Sequence, residues 1–190
     1  APSMKAQKNV IGGAFRAAGL LPSAATYFEA HGTGTPLGDP IELEALAEVK
    51  GPIPVMVGSV KANIGHAESA AGAAGVIKTL WSMRHAKIPP LLHFKKPNPY
   101  VDFREAGIEV ASKVVPWDVN PKIAGVSSFG FSGTNAHIVL SEPPPTGDRW
   151  EATDREGGRV DQFLPLLLSA KSLVALRELA ANMIEVLGQP

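Results

Sequence analysis

No cysteine occurs in the 190 residues. Disulfides, thiolate metal sites and thiol nucleophiles are thereby excluded from this chain, and its redox compartment is left open. Charge of one sign is not in excess either, because Lys plus Arg and Asp plus Glu number 18 each. That balance supplies no overall electrostatic footprint for nucleic acid or for an anionic membrane surface, so any anionic partner must be met by a local patch. No apolar run approaches the roughly 18 residues of a membrane span, and the opening Ala1-Pro2-Ser3-Met4-Lys5 lacks a basic-then-apolar signal pattern. The expectation is a cytoplasmic protein with neither nucleic acid nor membrane among its partners. What is present, 45% hydrophobic and 19% charged residues, suits a globular unit with a buried core.

Punctuation and periodicity divide the chain. Residues 4–18 predict a helix with Ser3 as N-cap and Gly19 as its stop. Residues 26–29 predict a strand that runs into the glycine-rich stretch 31–38. Asp39, Pro40 and Glu42 have the spacing of a capping box, opening a helix to about Lys50. The continuous apolar run at 55–60 predicts a strand covered on both faces, and with it a parallel sheet. Residues 67–86 predict a helix whose small-residue first half marks it as central and buried. The proline-punctuated stretch 88–120 predicts an ordered surface excursion, and 123–126 with 137–140 predict paired strands around another glycine-rich loop. A boundary falls near Glu142: residues 1–142 form one unit, 143–162 a proline- and charge-rich linker, and 163–190 the start of a second unit. That second unit is expected to hold a strand at 164–168 and a helix carrying Leu173, Leu176, Leu179, Met183 and Val186 at helical spacing.

Several chemistries can be weighed on residue pattern alone. The loop from Gly32 to Gly38 lacks the Lys-Ser/Thr ending of a nucleotide-binding loop. His31, His66 and His93 lack the close paired spacing that preorganises zinc, so no metal is expected. Ser132 lies in Gly-Phe-Ser-Gly, one glycine out of register with a hydrolase nucleophile elbow. Asp39 and Glu42 are explained by capping without acid-base chemistry, and His85, His93 and His137 as ordinary core or surface residues. Lys61 is either an ion-pair partner or a site residue, Thr33 and Thr35 either shape a turn or meet a ligand, and Phe131 either packs or moves between its flanking glycines.

Three motifs in order are more specific. Glu29-Ala30-His31-Gly32-Thr33-Gly34-Thr35-Pro36-Leu37-Gly38-Asp39-Pro40 and Gly58-Ser59-Val60-Lys61-Ala62-Asn63-Ile64-Gly65-His66 resemble the two histidine motifs of the ketosynthase domains of polyketide synthases, relatives of the fatty-acid β-ketoacyl synthases. Gly125-Val126-Ser127-Ser128-Phe129-Gly130-Phe131-Ser132-Gly133-Thr134-Asn135-Ala136-His137 resembles their closing loop. The likeness runs from about residue 1 to 144, and the segment after the linker is similar to the start of the region joining ketosynthase to acyltransferase.

The resemblance implies an α/β thiolase-like layered fold, of which this chain supplies only the C-terminal half. The cysteine nucleophile and at least one further strand are expected in the earlier half, so the chain alone is expected to be inactive. The implied reaction is the decarboxylative Claisen condensation of acyl and malonyl-type thioesters. Negative charge develops on a thioester oxygen as carbon dioxide leaves, and preorganised neutral imidazoles can hold it. The resemblance gives His31 and His66 that role and Lys61 the organisation of the site. It gives Thr33 and Thr35 hydrogen bonds to the pantetheine arm, Phe131 a gating role, and Asn135 with Ser132 the fixing of the loop. No cofactor is bound by this chain itself; phosphopantetheine is carried by an acyl carrier protein. The other implied partners are the cysteine-bearing N-terminal half, the adjacent acyltransferase domain and a second copy in a homodimer. The competing expectation is a truncated, non-catalytic ketosynthase remnant that serves as a docking or scaffold module.

Overall fold

The computed structural model describes residues 2–143 and 168–188. The chain divides into two compact units, Ala1–Gly147 and Asp148–Pro190. Among the described residues no helix is long and apolar enough to cross a membrane.

In the first unit, helix α1 (Met4–Ala17) begins where Ser3 is extended and its hydroxyl accepts the Ala6 N–H, and it stops before Gly19 at φ +68°. A five-stranded sheet follows, built from β1 (Tyr27–Glu29), β2 (Val55–Gly58), β4 (Ile108–Glu109), β6 (Ile123–Phe129) and β7 (Asn135–Ser141). Its order is β4-β2-β1-β6-β7, with β1, β2, β4 and β6 parallel and β7 returning antiparallel from β6. Helix α2 (Gly38–Lys50), the single turn α3 (Lys61–Ile64) and helix α4 (Ala71–Arg84) connect these strands, and β3 (Lys87–Ile88) pairs with β5 (Val115–Pro116) in a separate ribbon.

Side chains alternate across the sheet. Phe28, Val55, Val57 and Ile123 face one core with Ile11 and Phe15 of α1 and Leu43 and Leu46 of α2. Tyr27 and Ala124, with Met56 at the margin, face a second core with Met83 of α4, Ile88 and Trp117. Covering on both faces is why even Glu29 at the end of β1 is fully buried. Each large apolar side chain so enclosed contributes about 1.5–3 kcal/mol relative to exposure.

Two expectations need correction. Helix α4 is not buried all round: Ala71, Gly75, Thr79, Ser82 and Met83 are buried, whereas Ile77, Leu80 and Trp81 stay about half exposed. The sheet covers one side of this helix, and its small residues allow the close approach there, since a Cβ on Gly75 would sit 3.2 Å from both Glu29 Cγ and Val126 Cγ1. The stretch 88–120 is not confined to the surface either, because it supplies Val101, Ile108, Ala111 and Trp117 to the cores. Trp117 is anchored by its indole N–H, which donates to Thr26 Oγ1 at 2.9 Å.

The second unit contains helix α5 (Leu173–Leu187), whose N-cap Ser172 accepts the Ala175 N–H at 3.2 Å. The expected linker at 143–162 and strand at 164–168 fall almost entirely outside the described residues.

Candidate active site

Parallel pairing decides where the site forms. In the register of β1 with β2, Glu29 lies opposite Gly58, so the loops that follow both strands leave from adjacent C-terminal ends. His31 comes two residues after β1; His66 follows α3 and Gly65, which is at φ +75°. Their rings meet edge to face, with centroids 5.3 Å apart and planes at 82°. The neighbouring strand β6 ends at Phe129, whose ring centroid lies 5.7 Å from that of His31. Three consecutive strand ends therefore build one site, the common location in parallel α/β sheets.

The His31 loop is held from below by α2. Glu42 accepts the backbone N–H of His31 at 2.7 Å and of Gly32 at 2.9 Å. Asp39 accepts the Gly34 N–H at 3.1 Å, and Thr35 Oγ1 accepts the Gly38 N–H at 3.0 Å while lying 3.3 Å from Thr33 Oγ1. The predicted capping box is therefore absent: α2 opens at Gly38 without a side-chain cap from Leu37, and both carboxylates turn back to the loop. The turned loop leaves the His31 and Gly32 N–H groups without a main-chain partner, and a buried donor without an acceptor costs about 1–3 kcal/mol. Gly32 is required for the turn, since it sits at φ +48° and a Cβ there would come within 2.9 Å of Ser59 Cβ.

Burial sets the protonation state of the His31 imidazole. Burial, with smaller repulsions from Lys61 and His66, lowers the His31 pKa to about 4, and its Nδ1 is buried without a partner. At neutral pH this ring is uncharged. His66 Nδ1 accepts the Glu68 N–H at 3.0 Å, which leaves the hydrogen of its neutral form on Nε2. Burial pushes the Glu42 carboxyl up to about 7 against the pull of the two N–H donors and of Lys61. Burial lowers the Lys61 ammonium, opposed by Glu42 and Glu29. Beside the histidines lies a cavity of about 620 Å³, lined in part by Thr33, Glu42, Lys61, His66, Phe94 and Phe103. Among the described residues no group of three or more His, Asp or Glu could hold a metal.

This arrangement agrees with two family matches. The "Beta-ketoacyl synthase, C-terminal domain" covers residues 1–95, and the "Ketoacyl-synthetase C-terminal extension" covers 97–189. The chain belongs to the β-ketoacyl synthase family. It is similar to the polyketide synthase ThaG of Burkholderia thailandensis, 48% identical over 99% of this chain and 4% of that protein. It is also similar to the erythronolide synthase EryA2 of Saccharopolyspora erythraea, 42% identical over the whole of this chain and 5% of that protein. Among solved structures, the ketosynthase from module 6 of the Bacillus subtilis bacillaene synthase superposes with a TM-score of 0.72 at 45% identity, covering 76% of this chain and 28% of that one. The chain thus spans a small fraction of these synthases and about a quarter of a solved ketosynthase, whose thiolase-like α/β architecture it shares.

In this ketosynthase chain His31, His66 and Lys61 surround one site, with Thr33 on the cavity wall. Thr35 is turned to the start of α2. Phe131 stands fully exposed at the tip of the β6–β7 hairpin, Asn135 pairs with Phe129 across that hairpin, and Ser132 Oγ lies 3.5 Å from Thr134 Oγ1. His93 lines the cavity, His85 stacks on Trp81, and His137 is buried with its Nδ1 3.0 Å from Ser127 Oγ. Sequence reasoning missed Phe129 and underread Glu42. It also missed Glu29 and Lys78 as a pair, although a carboxylate inside a strand and a lysine in an apolar helix were available as signals.

Proposed function

We propose that this chain supplies the decarboxylating half of a polyketide-synthase ketosynthase, which condenses an acyl thioester with a malonyl-type thioester held on the phosphopantetheine arm of an acyl carrier protein. The observation that carries this reading is the edge-to-face approach of His31 and His66, one uncharged and the other with Nε2–H as its free donor. As the bond from the α-carbon to the carboxylate breaks, carbon dioxide leaves and the electron pair moves into an enolate, whose oxygen the imidazole N–H groups hold. The enolate carbon then attacks the acyl thioester, a carbon–carbon bond forms, and a thiolate departs. With no cysteine in these 190 residues, that thiolate belongs to an N-terminal half outside this sequence. Lys61 favours the developing negative charge, and Thr33 and Thr35 hydrogen-bond the arm. Phe131 gates entry, and Asn135 with Ser132 holds the hairpin that presents it.

In the same reading residues 1–142 belong to the condensing domain, 143–162 join it to the next segment, and 163–190 begin the region leading to an acyltransferase domain. The intact synthase is a cytoplasmic homodimer, and this chain on its own does not turn over.

The test is reconstitution with a cysteine-bearing N-terminal half and measurement of carbon dioxide release from malonyl carrier protein. His31→Ala and His66→Ala are each expected to lower the rate about 100-fold or more. Full rates in both variants would defeat the role assigned to the imidazoles, and no release from the wild-type assembly would favour a scaffold module.

A further inference from the structure

Behind the two histidines lies a buried polar network that the reaction itself does not use. Glu29, the last residue of β1, is 1% exposed and pairs with Lys78 of α4, which is 13% exposed, at 2.7 Å. The same carboxylate oxygen accepts the Tyr27 hydroxyl at 2.5 Å, and Lys78 Nζ donates to Tyr27 Oη at 2.8 Å. Burial and the adjacent carboxylate raise the Tyr27 phenol well above its ordinary value, which keeps its proton in place as a donor. The other oxygen, Oε1, accepts the backbone N–H of Val60.

That last bond joins the two halves of the site. Glu29 precedes His31 by two residues, and Val60 immediately precedes Lys61 on the segment that leads to His66. Missing side chains make room for the network: a Cβ on Gly58 would fall 2.5 Å from Tyr27 Oη and 3.1 Å from Lys78 Nζ. Stability alone does not account for such an arrangement. Removing two charges from water costs about as much as their attraction returns, and apolar residues of similar volume are often as stable or more so.

We propose that Glu29, clamped by Lys78 and Tyr27, is a positioning residue for the condensation: its bond to Val60 sets the second histidine loop at the height of the first. This rests on the ketosynthase reading above. It touches neither substrate nor the imidazoles, so its effect passes through the His31–His66 geometry.

Two double variants separate position from charge. Glu29→Gln with Lys78→Met removes both charges but keeps an acceptor for the Val60 N–H; Glu29→Leu with Lys78→Met removes the acceptor as well. In the reconstituted assembly with malonyl carrier protein, the first pair is expected to keep kcat within about threefold and the second to lose at least tenfold, both with unchanged KM. In the 190-residue chain, the nuclear Overhauser contact between the His31 and His66 rings should persist in the first pair and vanish in the second. Equal kcat in the two pairs, or an intact ring contact in the leucine pair, overturns the proposal. If thermal melts show the leucine pair unfolded, Tyr27→Phe decides: a fall in kcat beyond the threefold band of the first pair, at constant KM, is expected, and a kcat inside that band overturns the proposal. Absence of carbon dioxide release from the wild-type assembly would sink the ketosynthase reading, while the ring contact still judges Glu29 independently.

Discussion

Glu42 accepts the main-chain N–H of His31 at 2.7 Å from a position eleven residues further along the chain, so that the first residue of the histidine loop hangs from the first turns of α2. The same carboxylate holds Gly32. Glu42→Ala leaves both donors without an acceptor and is expected to cost about 3 kcal/mol in denaturant unfolding. An unchanged midpoint would show that water replaces the carboxylate without loss.

The pH dependence of stability should carry the signature of this residue. Its carboxyl is raised from 4.5 to about 7 in the folded chain, so the native state binds the extra proton between those values. The stabilisation is full below about pH 4.5 and is lost as pH rises through about 7. Glu42→Gln should flatten that part of the unfolding free-energy curve by about one proton. A slope identical to wild type would show that Glu42 does not titrate there.

His137 should act with the opposite sign. Enclosed by Phe15 and Phe28 and held at Ser127, it has its pKa lowered from 6.5 to about 4 by burial. Its stabilisation is present above pH 6.5 and is lost as pH falls through about 4, a swing of about 3 kcal/mol. His137→Gln should make the acid limb of the unfolding free-energy profile shallower by that amount; retention of the full limb would place the titrating group elsewhere. His31, also lowered to about 4, adds a parallel contribution.

Lys61 sits between His31 and Glu42 electrostatically. Its positive charge lowers both pKa values, as a secondary effect beside burial. Lys61→Met is therefore expected to raise both, as read from ring-proton titration of His31 and carboxyl carbon titration of Glu42. Movement of either in the other direction would show that the loop rearranges when the lysine is removed.

Phe131 meets solvent on all sides, so its removal should not disturb the fold. Phe131→Ala is expected to change unfolding free energy by no more than about 0.5 kcal/mol. Any effect should appear as an altered KM for carrier-bound substrate in the reconstituted assembly. A large loss of stability would mean that the hairpin tip packs onto the protein.

The sequence by itself determined the order of the longer helices and strands and the identity of the histidine loops, because local signals suffice for both. The two-residue strands β3, β4 and β5 are too short to leave a periodic signal in a proline-punctuated stretch. Ser3 and Gly19 mark the ends of α1 through short-range hydrogen bonds, and the apolar run at 55–60 predicts a strand covered on two faces, of which 55–58 form β2. The motif residues His31, Lys61 and His66 could be named because their neighbours in the chain are distinctive. Only the tertiary structure decided what those neighbours touch. Asp39 and Glu42 have the spacing of a capping box, yet the nearby loop donors His31, Gly32 and Gly34 compete for the same oxygens and win. Phe129 rather than Phe131 meets the His31 ring because β6 ends beside β1, a consequence of strand order that no local pattern contains. Glu29 and Lys78, separated by 49 residues, pair because α4 crosses the sheet where Gly75 and Gly58 leave space. Hydrogen bonding is satisfied across the fold rather than along the chain, and that is why the site's support was hidden while its histidines were in plain view.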